Sequence, residues 1–168
     1  MNKIGVFYGS TTGTTEDVAR QIAEKLNVPS GHIYDVSKIT EDLIREYDVL
    51  VLGTSTWGAG ELQDDWYDGV NVLKKCDLSH KYVALFGCGD SDSYSDTFCD
   101  AIGIIYEDLK DTHCKFCGAV DTAGYTFDSS IAVVDGKFVG LPIDEVNEDN
   151  QTEERISAWA EQVKQEIS

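Results

Sequence analysis

The sequence predicts an α/β fold with a mainly parallel sheet, on three observations. Short apolar runs alternate with amphipathic stretches along the whole chain. The runs are almost continuously apolar, clearest in Val49-Leu50-Val51-Leu52 and Val83-Ala84-Leu85-Phe86, as strands covered on both faces must be. Glycine- and hydroxyl-rich loops follow the first, third and fourth runs, and ligands gather at these C-terminal strand ends in such sheets.

Taken in order, strands are expected at Ile4 to Tyr8, Ile33 to Val36, Val49 to Gly53, Tyr82 to Gly87 and Phe116 to Val120. Helices are expected at Thr15 to Leu26, Glu41 to Glu46, Asp64 to Lys74, Ser95 to Asp111 and Glu153 to Glu166. The first helix repeats Val18, Ala19, Ile22, Ala23 and Leu26 on one face. The fourth repeats Phe98, Ile102, Ile105 and Leu109, and the last Ile156, Trp159, Ala160, Val163 and Ile167. After Val120 the alternation lapses until Leu141 to Asp144 resumes a strand-like run. This predicts an insertion into or beside the last strand, with a small hairpin of Ile131 to Val134 and Lys137 to Val139 around Asp135-Gly136.

A chain of 168 residues without a linker or composition break is expected to form one domain, 1–168. Its apolar runs fall far short of the roughly 20 residues that span a bilayer, and the N-terminus lacks a secretory apolar segment, so a cytoplasmic location is expected. Five cysteines fit reduced thiols. Cys114-x-x-Cys117 lacks the second pair or spaced histidines of a zinc site, and unpaired thiols explain it better. His32, His80 and His113 are scattered and point to neither a metal nor a catalytic base, and no Ser-His-Asp or paired-carboxylate arrangement can be argued from spacing. The net charge of −18, from 31 acidic and 13 basic residues, disfavours nucleic acid and anionic membrane and favours a basic protein surface as partner. Acids collect near the loops at Glu61, Asp64, Asp65, Asp68, Asp90, Asp92 and Asp96.

The segment Ser10-Thr11-Thr12-Gly13-Thr14-Thr15 links the first strand to the first helix. Free N–H groups and the positive end of a helix dipole favour an anion there. No lysine or arginine lies between Gly9 and Asp17, which argues against a nucleoside triphosphate and for a single phosphomonoester held by neutral donors. The plainer alternative is a capping box of Thr14 and Asp17. Trp57 and Tyr94 stand in the loops Thr54-Ser55-Thr56-Trp57-Gly58-Ala59-Gly60 and Gly89-Asp90-Ser91-Asp92-Ser93-Tyr94. Either ring alone is better explained by capping the core edge. Together, beside a monophosphate cradle, they suit the two faces of a planar heteroaromatic ring and suggest flavin mononucleotide (FMN).

S-T-T-G-T-T, T-S-T-W-G-A-G-E-L and G-C-G-D-S-D-S-Y-S-D-T-F-C-D-A-I-G together closely resemble the flavodoxins. The late insertion and G-L-P-I-D-E-V-N resemble the long-chain subgroup. The resemblance implies a doubly wound, five-stranded parallel sheet of order 2-1-3-4-5 and non-covalent FMN. It also implies a low-potential one-electron carrier that cycles FMN between semiquinone and hydroquinone, without substrate turnover of its own. A monomer served by NAD(P)H-dependent reductases and low-potential oxidoreductases is further implied. Residues 10 to 15 would hold the phosphate, with Trp57 on the inner and Tyr94 on the outer ring face. Thr56 and Asn147 would meet the ribityl hydroxyls, and backbone groups of Gly89, Asp90 and Cys99 the pyrimidine edge; Thr54, Ser55, Cys88, Thr97 and Phe98 complete the implied cofactor-binding set. The Gly58-Ala59 peptide, followed by Gly60, would turn over on reduction. Thr97 and Val146 depart from residues common in the family. A flavodoxin-like NAD(P)H-dependent quinone or flavin reductase is the alternative; a phosphoacceptor domain lacks its acids at Tyr8-Gly9 and Gly53-Thr54.

Overall fold

The computed structural model describes residues 3–10, 13–57 and 60–168. The strands are β1 (Ile4–Gly9), β2 (Ile33–Asp35), β3 (Val49–Trp57), β4 (Glu61–Leu62), β5 (Tyr82–Cys88), β6 (Lys115–Cys117), β7 (Val120–Asp121), β8 (Val133–Val134), β9 (Lys137–Phe138) and β10 (Gly140–Ile143). The helices are α1 (Thr14–Lys25), α2 (Glu41–Arg45), α3 (Asp65–Lys74), α4 (Asp100–Leu109) and α5 (Thr152–Glu166). The main sheet runs β2, β1, β3, β5 and then an outer position, all parallel, which is the expected 2-1-3-4-5 order.

That outer position is shared. β6 pairs with Tyr82–Ala84 and β10 with Leu85–Cys88, both parallel to β5. The insertion lies between these two halves of one strand and carries a small antiparallel sheet, β7-β9-β8. Its tight turn is at Asp135 (φ 54°) and Gly136 (φ 83°), the left-handed pair an Asp-Gly hairpin needs. The fifth strand therefore ends at Cys117 rather than Val120, because Gly118 turns away at φ 80° with Trp159 against its α-carbon.

Period two along the strands divides the core. Phe7, Leu50, Leu52, Val83 and Leu85 face Trp66, Leu73, Phe98, Ile102 and Leu109 on one side. Val6, Val49, Val51, Ala84 and Phe86 face Val18, Ile22, Ile156, Trp159 and Val163 on the other. Cys114 packs on the first layer and Cys117 belongs to the second, so the C-x-x-C thiols lie on opposite faces of the sheet.

Most boundaries differ from expectation by a residue or two. Besides the early end of the fifth strand, two differences are larger. β3 runs on to Trp57, where it pairs antiparallel with β4. α4 begins at Asp100, not Ser95, because Cys99 is left-handed (φ 53°) and the Ser95 carbonyl is taken by the N–H groups of Asp128 (2.7 Å) and Ser129 (3.0 Å) of the insertion.

Candidate functional site

The C-terminal ends of β1, β3, β5 and β10 open onto a cleft of about 320 Å³. Three predicted loops reach it, and the turn after β10 is a fourth wall. A larger groove of about 820 Å³ lies at the other end of β1, lined by Lys3, Ile4, Leu26 and Ile167. None of the glycine and hydroxyl loops reaches that groove, so the smaller cleft is where the chemistry can be.

At the first loop, Gly13 is the N-cap of α1 with φ 93°, a conformation only glycine adopts cheaply. Among the described residues no side chain caps the helix, so the Thr14–Asp17 capping box does not form: Asp17 accepts instead from Gln21 at 3.0 Å. Ser10 braces the turn, its hydroxyl accepting from the Gly13 N–H at 3.0 Å. The leading amides of α1 are thus left to a ligand. Thr14 reaches the cleft and Thr15 is buried beneath it. Arg20 pairs with Glu16 at 2.9 Å. Thr11 and Thr12 lie outside the described residues.

At the second loop, Ser55 and Thr56 line the cleft. The Ser55 hydroxyl is buried without a hydrogen-bond partner, whereas Thr56 Oγ1 accepts from the Ala101 N–H at 3.4 Å. Thr54 is not part of the lining. It is fully buried, its hydroxyl donating to the Ser55 carbonyl at 2.9 Å and accepting from the Gln63 N–H at 3.4 Å. Gly60 is buried at φ 98° against the Asp100 carboxylate, also away from the cleft. Gly58 and Ala59, and the side chain of Trp57, lie outside what the structure describes, so the inner ring face and the turning peptide are not placed.

The third loop brings Cys88, Gly89, Asp90, Tyr94, Thr97, Phe98 and Cys99 to the cleft. Tyr94 is 45% exposed, as a ring at a ligand's outer edge should be. Thr97 presents a buried hydroxyl with no partner. A Cβ on Gly89 would come within 2.8 Å of Cys99 Sγ. Burial pushes the Cys88 thiol up to about 12 and lifts Cys99 well above the ordinary thiol value, so both are neutral walls. Asp90 is held below the usual carboxylate range by the N–H groups of Ser93 and Asp92 and the Asn147 amide, against the effect of burial.

Of the fourth wall, the sequence named Val146 and Asn147 but not Glu145. Glu145 and Val146 line the cleft, whereas Asn147 turns its amide to Asp90 Oδ1 (2.8 Å) and Asp144 Oδ2 (3.1 Å). An acidic turn just after a short apolar run was the available signal. Without the register of β10 on β5, nothing in the sequence brings residue 145 beside residue 88.

Unpartnered hydroxyls on Ser55 and Thr97, an uncapped helix N-terminus and an apolar floor fit a ligand with a phosphate, polar groups and a flat ring. The family model described as Flavodoxin matches residues 6–159. Flavodoxin 1 of Azotobacter vinelandii is 42% identical over 171 residues, covering 99% of this chain and 98% of its own. Flavodoxin 1 of Escherichia coli is 40% identical over 164 residues, covering 97% and 93%. The crystal structure of Fusobacterium nucleatum flavodoxin bound to flavin mononucleotide superposes with a TM-score of 0.89 at 30% identity, covering 99% of each chain. With likeness in sequence and fold running end to end, the chain belongs to the flavodoxin family.

Proposed function

We propose that residues 1–168 form one FMN-binding domain that carries single electrons at low potential between redox enzymes of the cytoplasm, as a monomer. The unpartnered buried hydroxyls of Ser55 and Thr97, facing one cleft from two loops, carry this reading, because buried polar groups are otherwise almost always satisfied. FMN supplies the one-electron chemistry when bound. The turn braced by Ser10 and Gly13 and the leading amides of α1 take the phosphate without a cation. Ser55 and Thr97 donate to polar groups of the ligand, and Tyr94 shields the ring from water on the open side.

The chain also determines the potential. Asp90 and Asp144 are held ionised beside the cleft. A unit charge about 8 Å away, at an effective dielectric near 20, costs an added negative charge about 2 kcal/mol. Glu61, Asp64, Asp65, Asp68, Asp92 and Asp96 are exposed and suit a basic partner such as an NAD(P)H-dependent reductase.

The test is reconstitution of the purified chain with FMN followed by anaerobic potentiometric titration. The expected outcome is one FMN per chain and two separated one-electron steps, the second at low potential. A chain that takes up no FMN overturns the reading. Steady NAD(P)H oxidation without an added reductase would instead identify a quinone or flavin reductase.

A further inference from the structure

Asp144 follows β10 and has no accessible surface. Its carboxylate accepts from the Ser91 N–H at 3.1 Å and from the Ser91 hydroxyl. It also accepts from the N–H groups of Val146 (3.1 Å) and Asn147 (2.9 Å), and from the Asn147 amide at 3.1 Å. The same amide reaches Asp90 Oδ1, which in turn accepts from the N–H groups of Asp92 (3.1 Å) and Ser93 (2.9 Å). One carboxylate thus fastens the loop of Asp90 and Tyr94 to the turn of Glu145 and Val146. Each forms a wall of the cleft.

Among the described residues no lysine or arginine is ion-paired with Asp144, so neutral donors alone hold its charge. Burial opposes ionisation, but the Ser91 and Asn147 donors outweigh it and hold the carboxyl below its usual range. Its field is felt in the cleft: after burial, it is among the charges that raise the Cys88 and Cys99 thiols. An asparagine at 144 would keep the shape, lose the charge, and turn an NH2 against donors that need an acceptor.

We propose that Asp144 is a positioning residue for the flavin, a buried anion that locks the 89–94 loop to the 145–147 turn and opposes the second electron. The role rests on the FMN reading of the cleft, but the locking is testable without the cofactor.

The test uses the full chain as apoprotein and as FMN holoprotein. In apo Asp144→Asn, amide hydrogen exchange at Ser91, Val146 and Asn147 should rise together by about tenfold or more, as loss of a charged hydrogen bond implies, while β3 amides stay at the parental rate. FMN binding should weaken by about tenfold in the same variant. The potential of the second electron should rise. Ser91→Ala, which keeps the charge, should weaken FMN binding less and leave that potential unchanged. Parental exchange at the three amides, or a parental second potential in Asp144→Asn, overturns the proposal. Should Asp144→Asn fail to fold, Ser91→Ala decides: exchange at Val146 and Asn147 rises if Asp144 couples the loops and stays parental if it does not. A parental chain that binds no FMN defeats the cofactor reading, while the exchange data still decide the locking.

Discussion

Gly53 shows how a single position shapes the sheet above the cleft. A Cβ there would sit 1.9 Å from the nearest Phe86 ring atom, and its carbonyl accepts from the buried Trp66 indole at 2.7 Å. The strand could bend only by dislodging rings on both faces. Gly53→Ala should therefore cost about 1–3 kcal/mol or more, read as a lower denaturant midpoint at unchanged slope. Two buried aspartates set opposite acid responses. Asp144 is held low in the fold, so the stability it contributes is complete above the unfolded carboxyl pKa of about 3.9 and is lost as pH falls through its folded value. Asp100 is pushed up by burial, so its contribution is complete below about 3.9 and is lost as pH rises through its folded value. Asp100→Asn keeps an acceptor oxygen for the Ile131 N–H and removes the cost of ionisation. Urea melts of the apoprotein between pH 3 and 7 should show Asp100→Asn gaining on the parent as pH rises, and a parental pH profile would refute this assignment. Ser55 was legible as a site residue because it sits in a glycine- and hydroxyl-rich loop, whereas Thr97 falls in the expected fourth helix and was named only through the family resemblance. Asp144 was not legible, since its partner Ser91 lies 53 residues away and only the fold joins them.

Local pattern decides an element only where nothing distant competes. β1 and β5 fall where their apolar runs predict, and β3 begins where its run does, because burial on both faces leaves one way to satisfy their backbone. The Asp135-Gly136 hairpin was legible for the same local reason. Ser95 to Cys99 has helical periodicity through Phe98 yet is irregular, because the insertion claims the carbonyls of Ser95 and, through the Ser129 hydroxyl at 2.7 Å, of Asp96. Periodicity cannot register a hydrogen bond from 33 residues away. The other end of the insertion is tied to α5 by Arg155, whose guanidinium lies 3.9 Å over the Tyr125 ring. The same group bonds the Gly124 carbonyl at 2.8 Å and pairs with Glu148 at 3.0 Å. Lysine cannot make all three contacts with one point charge. Arg155→Lys should cost about 1–2 kcal/mol of stability by thermal melting, whereas Lys164→Ala, which breaks only the surface pair with Glu161, should change it little.

At the scale of the whole molecule, the net charge of −18 acts on stability and on encounter at once. Apart from Arg155–Glu148, the ion pairs seen among the described residues are solvent-exposed neighbours three or four positions apart on helices, too weak to offset the excess of acids. Self-repulsion should therefore destabilise the fold at low ionic strength. Adding salt shortens the Debye length to about 10 Å at 0.1 M and should raise the urea midpoint. The same screening removes the attraction that draws a basic partner to the acids around the cleft, so the second-order rate of reduction by a basic reductase should fall over the same salt range. The two trends oppose each other, and this separates them from a general salt effect on folding. Stopped-flow reduction and urea melts between 20 mM and 300 mM NaCl, about a fourfold span in Debye length, measure both. A rate independent of salt alongside a rising midpoint would mean that the acids serve the fold's solubility rather than the partner. A rate that falls as the midpoint rises would mean that exposed acids such as Glu61, Asp64 and Asp92 also draw the basic partner.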